Sequence, residues 1–177
     1  MPDQPIRVLV VDDTAIYRKI VAEALQQTPG IEVVGRASHG RMALAQISQL
    51  RPDIVTLDVE MPVMDGLETL RQLQRLGTPV GVIMLSAQTA GSAQATVTAL
   101  ELGALDFVLK PSSGNLVENA RKLRESLASR VLSLGRVQRI RHVLGGAARR
   151  PVSAPPPTAP GRAPAGPAVS SPRPAPR

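Results

Sequence analysis

Short β-branched runs alternate with longer amphipathic runs through the first 135 residues of the chain. The short runs are almost continuously apolar, which is typical of strands buried on both faces of a parallel sheet. The longer runs place apolar residues three and four positions apart, which is the spacing of one helix face. The predicted strands are Ile6–Asp12, Ile31–Ala37, Asp53–Asp58, Val80–Ser86 and Leu105–Leu109. Five strand–helix units of this kind predict an α/β fold, a parallel sheet with helices on both faces.

Four of the predicted helices show the face that they bury as a repeating apolar pattern. The repeats are Ile16, Ile20, Ala24 and Leu25; Ala43, Ile47 and Leu50; Leu67, Leu70, Leu73 and Leu76; and Ala93, Val97 and Leu100. Proline and glycine stand where these helices have to end, as in Thr28-Pro29-Gly30 and Gly77-Thr78-Pro79. Each repeat is therefore expected to pack against the sheet.

A fifth predicted helix begins at Asn115, and its apolar stripe continues to Leu144, before Gly145 and Gly146. Glycine inside a helix costs about 1 kcal/mol, so we expect Gly135 to mark a hinge. Residues 136–144 are then expected to be weakly helical and to dock onto an effector or a second copy of the chain.

The excess positive charge is confined to the C-terminal part of the chain. Residues 1–135 carry 13 Lys+Arg and 14 Asp+Glu, whereas residues 136–177 carry eight Arg and no acidic residue. Residues 151–177 contain ten prolines and six alanines, and too little apolar material for a core. We therefore expect a folded domain over 1–135, a basic helical extension or the start of a linker over 136–150, and a disordered Pro/Ala/Arg-rich linker over 151–177.

The chain has no cysteine, which excludes a disulfide scaffold and thiolate metal sites. Its N-terminus lacks a basic segment followed by an apolar block, and no apolar run approaches the roughly 20 residues of a membrane span. These features predict a soluble, cytoplasmic chain without a membrane partner.

Polar side chains stand where the predicted strands end. Three carboxylates, one hydroxyl and one ammonium occupy these positions: Asp12, Asp13, Asp58, Ser86 and Lys110. In a doubly wound sheet of strand order 2-1-3-4-5, the carboxyl ends of the strands meet beside a switch point where ligands bind. Mg²⁺ prefers carboxylate oxygens, an ionised aspartate is an available nucleophile for a phosphoryl group, and an ammonium pairs with a phosphoryl oxygen. The set therefore predicts a magnesium-dependent phosphoryl site.

Ordinary structural roles remain open for some of these residues. Asp13 or Thr14, taken alone, would serve equally well as the cap of the following helix. Ser86 alone carries no signal, because hydroxyls are common at strand ends. A lone lysine such as Lys110 is more often a solvated charge, although Lys-Pro at the end of a buried strand is unusual. The functional interpretation rests on the whole set and on its placement at strand ends.

The motifs VVDDT, TLDVEMPVMDG, MLSA and DFVLKPS, in this order and spacing, resemble the receiver domain of two-component response regulators. The likeness covers residues 6 to about 130, and EVVGRASHG, ALELGALDFV and KPSSGN make it strongest to the receiver half of chemotaxis protein-glutamate methylesterases. The resemblance implies a flavodoxin-like (βα)5 fold and phosphorylation of Asp58 by a histidine kinase, with Ser86 and Lys110 contacting the phosphoryl group.

The same resemblance implies three further features of the site. Mg²⁺ is expected on the carboxylates of Asp12, Asp13 and Asp58 and on the backbone carbonyl of Glu60. Phe107 is expected to act as an aromatic switch, and the peptide bond before Pro111 is expected to be cis.

The output implied by the resemblance is a methylesterase whose catalytic domain carries a Ser-His-Asp triad. No G-x-S-x-G motif occurs in the sequence, so the chain itself is expected to have at most magnesium-dependent self-phosphorylation and dephosphorylation chemistry. Either the chain is truncated before an effector domain in cis, or it acts on an effector in trans. A stand-alone or DNA-directed regulator using the Arg-rich tail is the alternative, but the tail lacks aromatic residues and a recognition helix.

Overall fold

Five strands alternate with five helices in the computed structural model, which describes residues 4–87, 92–111 and 115–148. The strands are β1 (Ile6–Val11), β2 (Ile31–Ala37), β3 (Ile54–Asp58), β4 (Gly81–Ser86) and β5 (Asp106–Leu109). The helices are α1 (Ala15–Gln26), α2 (Gly40–Leu50), α3 (Gly66–Leu76), α4 (Ser92–Glu101) and α5 (Leu116–Ala148). Each predicted strand is confirmed to within one residue at either end, and the Pro/Ala-rich segment 151–177 lies outside the described residues.

The strands form one parallel sheet in the order β2-β1-β3-β4-β5. This is the predicted doubly wound, flavodoxin-like topology. The strand order reverses between β1 and β3, whose last residues pair as Val11 with Leu57. A crevice at the carboxyl edge of the sheet is expected at this reversal, and it is where the aspartates lie.

The core consists of two apolar layers, one on each face of the sheet. Val8 and Val10 of β1 pack with α1 and α5, whereas Leu9 and Val11 of the same strand pack with α2 and α3. This alternation follows from the period of two along a strand. Because both faces are covered, β1 and β3 read as nearly continuous apolar runs, interrupted only by Arg7 and Thr56 before the aspartates at their ends.

The loop between β3 and α3 folds closely over the end of β3. Asp65 caps α3 by accepting a hydrogen bond from the backbone N–H of Glu68 at 2.7 Å, and Gly66 follows it. A Cβ atom on Gly66 would lie 2.1 Å from the carbonyl oxygen of Asp58, so only glycine fits against this strand end. The loop thereby fixes the backbone that carries the Asp58 carboxylate.

The predicted buried face of α4 is wrong. Val97 is 51% exposed and Leu100 is 48% exposed, whereas Ala99 is completely buried. The helix packs its small residues against the sheet, and this turns the larger apolar ones outward. Two residues of the other repeats, Ile16 and Leu76, are also exposed. Apolar spacing indicated helices correctly here but did not select the buried stripe.

Helix α5 is longer than predicted. It runs without interruption for 33 residues, about 50 Å at 1.5 Å per residue, and ends at Ala148 rather than before Gly145. Gly145 and Gly146 are helical, and glycine terminates a helix only where it takes up the left-handed conformation of a C-terminal cap. Within the described residues, no helix has the length and apolar character needed to cross a membrane.

Gly135 is a packing position, and the predicted hinge is wrong. The residue is buried, and a Cβ atom on it would lie 2.5 Å from Cγ2 of Ile6 on β1. One turn further, Arg139 donates to Asp53 through Nη2 at 2.7 Å and also hydrogen-bonds the carbonyls of Gln4 and Pro5. The helix is therefore held on its own domain as far as Arg139, while docking of residues 136–144 onto another partner stays a prediction.

The substitution Gly135→Ala distinguishes packing from a hinge. An added methyl would overpack the contact with Ile6, at a cost of about 1–3 kcal/mol, and would recover about 1 kcal/mol of helix propensity. We expect the free energy of unfolding, measured in urea, to fall by up to about 2 kcal/mol. In an Ile6→Ala background the same substitution should cost less, because the methyl then has room. A gain in stability from Gly135→Ala alone would restore the hinge interpretation.

Candidate functional site

Three aspartates meet at the carboxyl edge of the sheet, where β1 and β3 end side by side. Asp12, Asp13 and Asp58 each place a carboxylate oxygen so that the three oxygens lie within 4.8 Å of one another. Asp12 is completely buried, Asp58 is 5% exposed, and Asp13 is exposed to solvent. The arrangement is a cluster of oxygen ligands that is reached from the side of Asp13.

Asp12 uses its two oxygens for different contacts. Oδ1 accepts a hydrogen bond from the backbone N–H of Thr14 at 2.9 Å, which orients the start of α1. Oδ2 lies 2.6 Å from Nζ of Lys110. Thr14 occupies the N-cap position of α1, but its side chain makes no cap hydrogen bond and instead donates to Oδ1 of Asp13. The capping alternative considered for Asp13 and Thr14 is therefore not how their side chains are used.

Lys110 joins the two buried carboxylates. Its Nζ lies 2.7 Å from Oδ2 of Asp58, and the side chain is only 8% exposed. The residue follows β5 directly, and its backbone N–H donates to the carbonyl of Ser86 at 2.7 Å, so the sheet fixes where its side chain begins. Lys110 is thus a buried ion-pair partner and not a solvated surface charge.

Burial and charge act in opposite directions on the titration of this site. Burial raises the pKa of Asp58, and the neighbouring charges of Asp12 and Asp13 raise it further, against the lowering effect of Lys110. For Lys110, burial alone would lower the pKa, but hydrogen bonds to Asp12 and Asp58 outweigh burial and raise it. The lysine stays protonated, and one ammonium faces three carboxylates.

This donor set fits a divalent magnesium ion. Mg²⁺ takes hard oxygen ligands, commonly one or two protein carboxylates together with water and phosphate oxygens. Asp12, Asp13 and Asp58 provide such oxygens, and Glu60 lines the same cleft. The residues present therefore match the ion that the sequence predicts.

The predicted Ser86 and Phe107 lie beside the cluster rather than in it. Ser86 is 3% exposed at the end of β4, and its hydroxyl donates to the carbonyl of Ala87 at 3.0 Å. Phe107 is partly buried on β5 and packs with the apolar layer under α2, α3 and α4. The contacts described for these two side chains are not with the carboxylates, so the roles predicted for Ser86 and Phe107 remain predictions.

The cis peptide bond expected before Pro111 is not present. The described residues contain no cis peptide bond, and the Lys110–Pro111 bond is among them. The trans form is intrinsically favoured at X–Pro bonds by about 0.5–1 kcal/mol. In this conformation the carbonyl oxygen of Pro111 accepts a hydrogen bond from the hydroxyl of Tyr17.

Tyr17 is the site residue that sequence reasoning missed. It lines a cleft of about 320 Å³ together with Asp13, Thr14, Asp58, Glu60, Ala87, Lys110 and Pro111. Its hydroxyl donates to the carbonyl of Pro111 at 2.9 Å, and its ring centroid lies 4.9 Å from Nζ of Lys110. Asp13 precedes α1, so helical spacing does not relate it to Tyr17. The contact with Pro111 joins residues 94 positions apart and gives no signal in the sequence.

A five-stranded parallel sheet in this order, with clustered aspartates and a buried lysine at its carboxyl edge, defines the class of response regulator receivers. The model of the response regulator receiver domain family matches residues 8–121, and the chain belongs to this family.

Curated relatives also resemble the chain in sequence. The chain is 53% identical over 124 residues to a protein-glutamate methylesterase/protein-glutamine glutaminase of Moorella thermoacetica, covering 70% of this chain and 29% of that protein. It is 45% identical over 148 residues to the Bacillus subtilis protein of the same name, covering 84% and 39%. The chain thus spans well under half the length of the curated relatives that it matches.

The solved structures agree with these relatives. The response regulator domain of Thermotoga maritima CheB superposes with a TM-score of 0.67 at 35% identity, covering 75% of this chain and 98% of that one. A chain of the CheX-CheY-BeF3-Mg complex from Borrelia burgdorferi superposes with a TM-score of 0.57 at 28% identity, covering 70% and 90%. The resemblance to methylesterase receivers is confirmed.

The raised pKa of Asp58 predicts that its charge destabilises the metal-free protein. Since the folded-state pKa of this acid lies above the unfolded one, the penalty is present at neutral pH and disappears as the pH falls through the folded-state pKa. Asp58→Asn should therefore raise the free energy of unfolding in the presence of a chelator at pH 7, and the difference should shrink on acidification. A destabilised variant at pH 7 would mean that the ion pair with Lys110 outweighs burial.

Bound Mg²⁺ should make the wild type more stable than Asp58→Asn, which reverses the order expected in chelator. An ion that binds only the folded protein stabilises it in proportion to its occupancy. We expect the melting temperature of the wild type to rise with Mg²⁺ concentration, and that of Asp12→Asn and Asp13→Asn to rise much less. Asp65→Asn is the matched control, because Asp65 caps α3 outside the cluster and asparagine caps equally well. An equal magnesium response in the control and the Asp12→Asn variant would exclude this metal site.

Proposed function

We propose that the chain is a phosphorelay receiver of a chemotaxis-type system, in which Asp58 accepts a phosphoryl group from a histidine kinase. The observation that carries the proposal is the placement of the Asp58 carboxylate, 2.7 Å from the Lys110 ammonium and within 4.8 Å of the Asp12 and Asp13 oxygens. A nucleophile with one ammonium and two metal-binding carboxylates beside it has what phosphoryl transfer requires, namely positioning and charge neutralisation.

In the proposed reaction an oxygen of Asp58 forms a bond to phosphorus while the bond from phosphorus to the donor nitrogen breaks. The ionised form of Asp58, which the neighbouring Lys110 favours, needs no base to become a nucleophile. Lys110 already contacts Oδ2 of Asp58 and is placed to take up a phosphoryl oxygen as charge accumulates. Asp12, Asp13, Asp58 and the backbone carbonyl of Glu60 would hold Mg²⁺, which would neutralise the phosphoryl charge further.

The response to phosphorylation is proposed to pass through Ser86 and Phe107. The Ser86 hydroxyl has to leave the carbonyl of Ala87 in order to donate to a phosphoryl oxygen. Ser86 pairs with Leu109 in the sheet, two residues beyond Phe107 on β5. A displacement of the Ser86 side chain would therefore be felt along the strand that carries the ring, which is how a local charge change reaches a surface.

The proposed output is control of a methylesterase domain, in cis or in trans. Support comes from relatives named as methylesterases, of which the chain matches less than two-fifths of the length. These relatives favour this output over a DNA-directed regulator. In this proposal residues 1–135 are the receiver domain, residues 136–150 a basic extension, and residues 151–177 the linker toward the effector.

Phosphorylation at Asp58 is tested with a labelled small donor. Acetyl phosphate in the presence of Mg²⁺ should label the wild type and the Asp65→Asn control, and should leave Asp58→Asn and all chelated samples unlabelled. Lys110→Ala should slow labelling by at least about ten-fold, since a hydrogen bond to a charged group is worth about 1.5–3 kcal/mol. Equal labelling of Asp58→Asn and wild type would sink the assignment of the phosphoacceptor.

The switch is tested by following the ring of Phe107. The chain contains one phenylalanine, so its ring signals in an NMR spectrum are unambiguous. Beryllofluoride with Mg²⁺, as a phosphoryl mimic, should shift these signals in the wild type, and Ser86→Ala should abolish most of the shift. If the ring signals stay in place while the mimic binds, the response does not run through Phe107.

A further inference from the structure

Tyr17 bridges the mouth of the acidic cleft with two contacts. Its hydroxyl donates to the carbonyl of Pro111 at 2.9 Å, and its ring centroid lies 4.9 Å from Nζ of Lys110. Tyr17 is in the first turn of α1, whereas Lys110 and Pro111 follow β5. Both contacts therefore reach across the cleft, between two elements that are far apart in the sequence.

Lys110 needs such a restraint if its ammonium is to stay in one place. Lysine is a compact charge on a flexible four-carbon stem, and it lacks the planar fork that fixes an arginine on a carboxylate. Two carboxylate oxygens, one of Asp12 and one of Asp58, form ion pairs with this ammonium. An aromatic face within about 6 Å attracts a cation and keeps water from it, and the ring of Tyr17 satisfies this distance.

The hydroxyl contact acts on the backbone that carries the same lysine. The residue following Lys110 is Pro111, which has no N–H, so this residue cannot be anchored by donating a backbone hydrogen bond. The backbone N–H of Lys110 is bonded to Ser86, and the carbonyl of Pro111 is bonded to Tyr17. The chain is thus held immediately before and after the lysine side chain.

We propose that Tyr17 is a positioning residue for phosphoryl transfer to Asp58, holding the Lys110 ammonium with its ring and the Pro111 backbone with its hydroxyl. The inference rests on the proposed function, in which Lys110 neutralises the phosphoryl charge. It assigns to α1 a part in the reaction beyond that of the aspartates which precede the helix. An apolar residue of similar size would fill the same space without either contact.

Two substitutions separate the two contacts. Tyr17→Phe removes the hydroxyl and keeps the ring, and it should slow labelling by acetyl phosphate about two- to ten-fold, as expected for one lost hydrogen bond. Tyr17→Leu removes both contacts and should slow labelling further. Thr28→Val is the matched control, because it removes a hydroxyl that donates to the carbonyl of Ala24 near the far end of α1. Its labelling rate should equal that of the wild type.

A second measurement observes the lysine directly in metal-free protein, without any reaction. The chain has three lysines, Lys19, Lys110 and Lys122, so side-chain NMR signals of labelled lysine are readily assigned. The aromatic ring should displace the Lys110 signals in the wild type and in Tyr17→Phe. These signals should move toward ordinary values in Tyr17→Leu, while those of Lys122, exposed in its ion pair with Glu118, stay unchanged.

The outcomes separate this inference from the proposed function. If the wild type is labelled on Asp58 but Tyr17→Leu leaves either the labelling rate or the Lys110 signals unchanged, Tyr17 is not a positioning residue. If the wild type is not labelled at all, the proposed function fails, and the role of Tyr17 in transfer fails with it. Slower labelling of Tyr17→Leu, together with Lys110 signals that move toward ordinary values in that variant, supports both. Should Tyr17→Leu fail to fold, the slower labelling expected of Tyr17→Phe still decides, and a wild-type rate in that variant would overturn the inference.

Discussion

The contact on which the carboxyl edge of this sheet depends is a single ammonium between two buried carboxylates. Asp12 and Asp58 are nearly inaccessible to water, and Lys110 lies within 2.7 Å of an oxygen of each. Buried charges of one sign repel each other and are poorly solvated, so the folded protein tolerates them only with this partner. The raised pKa of Asp58 shows that the compensation is incomplete. The site thus carries more negative than positive charge. A divalent cation that arrives together with a phosphoryl group would reduce this excess of negative charge.

The opposite edge of the sheet has no such deficit and serves stability. Asp53, just before β3, accepts hydrogen bonds from the backbone N–H of Arg7 and from the guanidinium of Arg139. Gly135 lets α5 approach Ile6 closely enough for these bonds to form. The Asp53 carboxylate pairs through Oδ2 with an arginine and a backbone amide, in contrast to the crowded carboxylates at the other edge. The edge where the strands begin therefore contributes to stability, whereas the candidate reactive carboxylates lie at the edge where the strands end.

Sequence reasoning succeeded where a feature depends on residues close together in the chain. The strands followed from nearly continuous apolar runs, and the acidic cluster followed from aspartates placed at strand ends, since parallel topology brings those ends together. Sequence reasoning failed where a contact between distant segments determines the role of a residue. In the sequence Gly135 looks like a weak point of a helix, and only the structure shows that it packs against Ile6. Likewise, only the structure shows that the hydroxyl of Tyr17 lies 2.9 Å from the carbonyl oxygen of Pro111. The buried face of α4 failed for a related reason, because only the neighbouring sheet selects Ala99 over Val97.

The backbone offers a continuous physical route from the acidic cluster toward the surface beside α4. The N–H of Val59, next to Asp58, donates to the carbonyl of Leu85, and the N–H of Lys110 donates to the carbonyl of the adjacent Ser86. Strands β3, β4 and β5 are thus linked at the positions that flank the carboxylates. Spatial continuity alone does not establish coupling, which requires an element with two arrangements that both ends bias. In the proposed function, the Ser86 hydroxyl has two alternative acceptors, the carbonyl of Ala87, to which it donates in the structure, and an incoming phosphoryl oxygen. Val97, Leu100 and Leu109 expose apolar surface around β5, and in the proposed function a displacement of that hydroxyl would act by changing the arrangement of this surface.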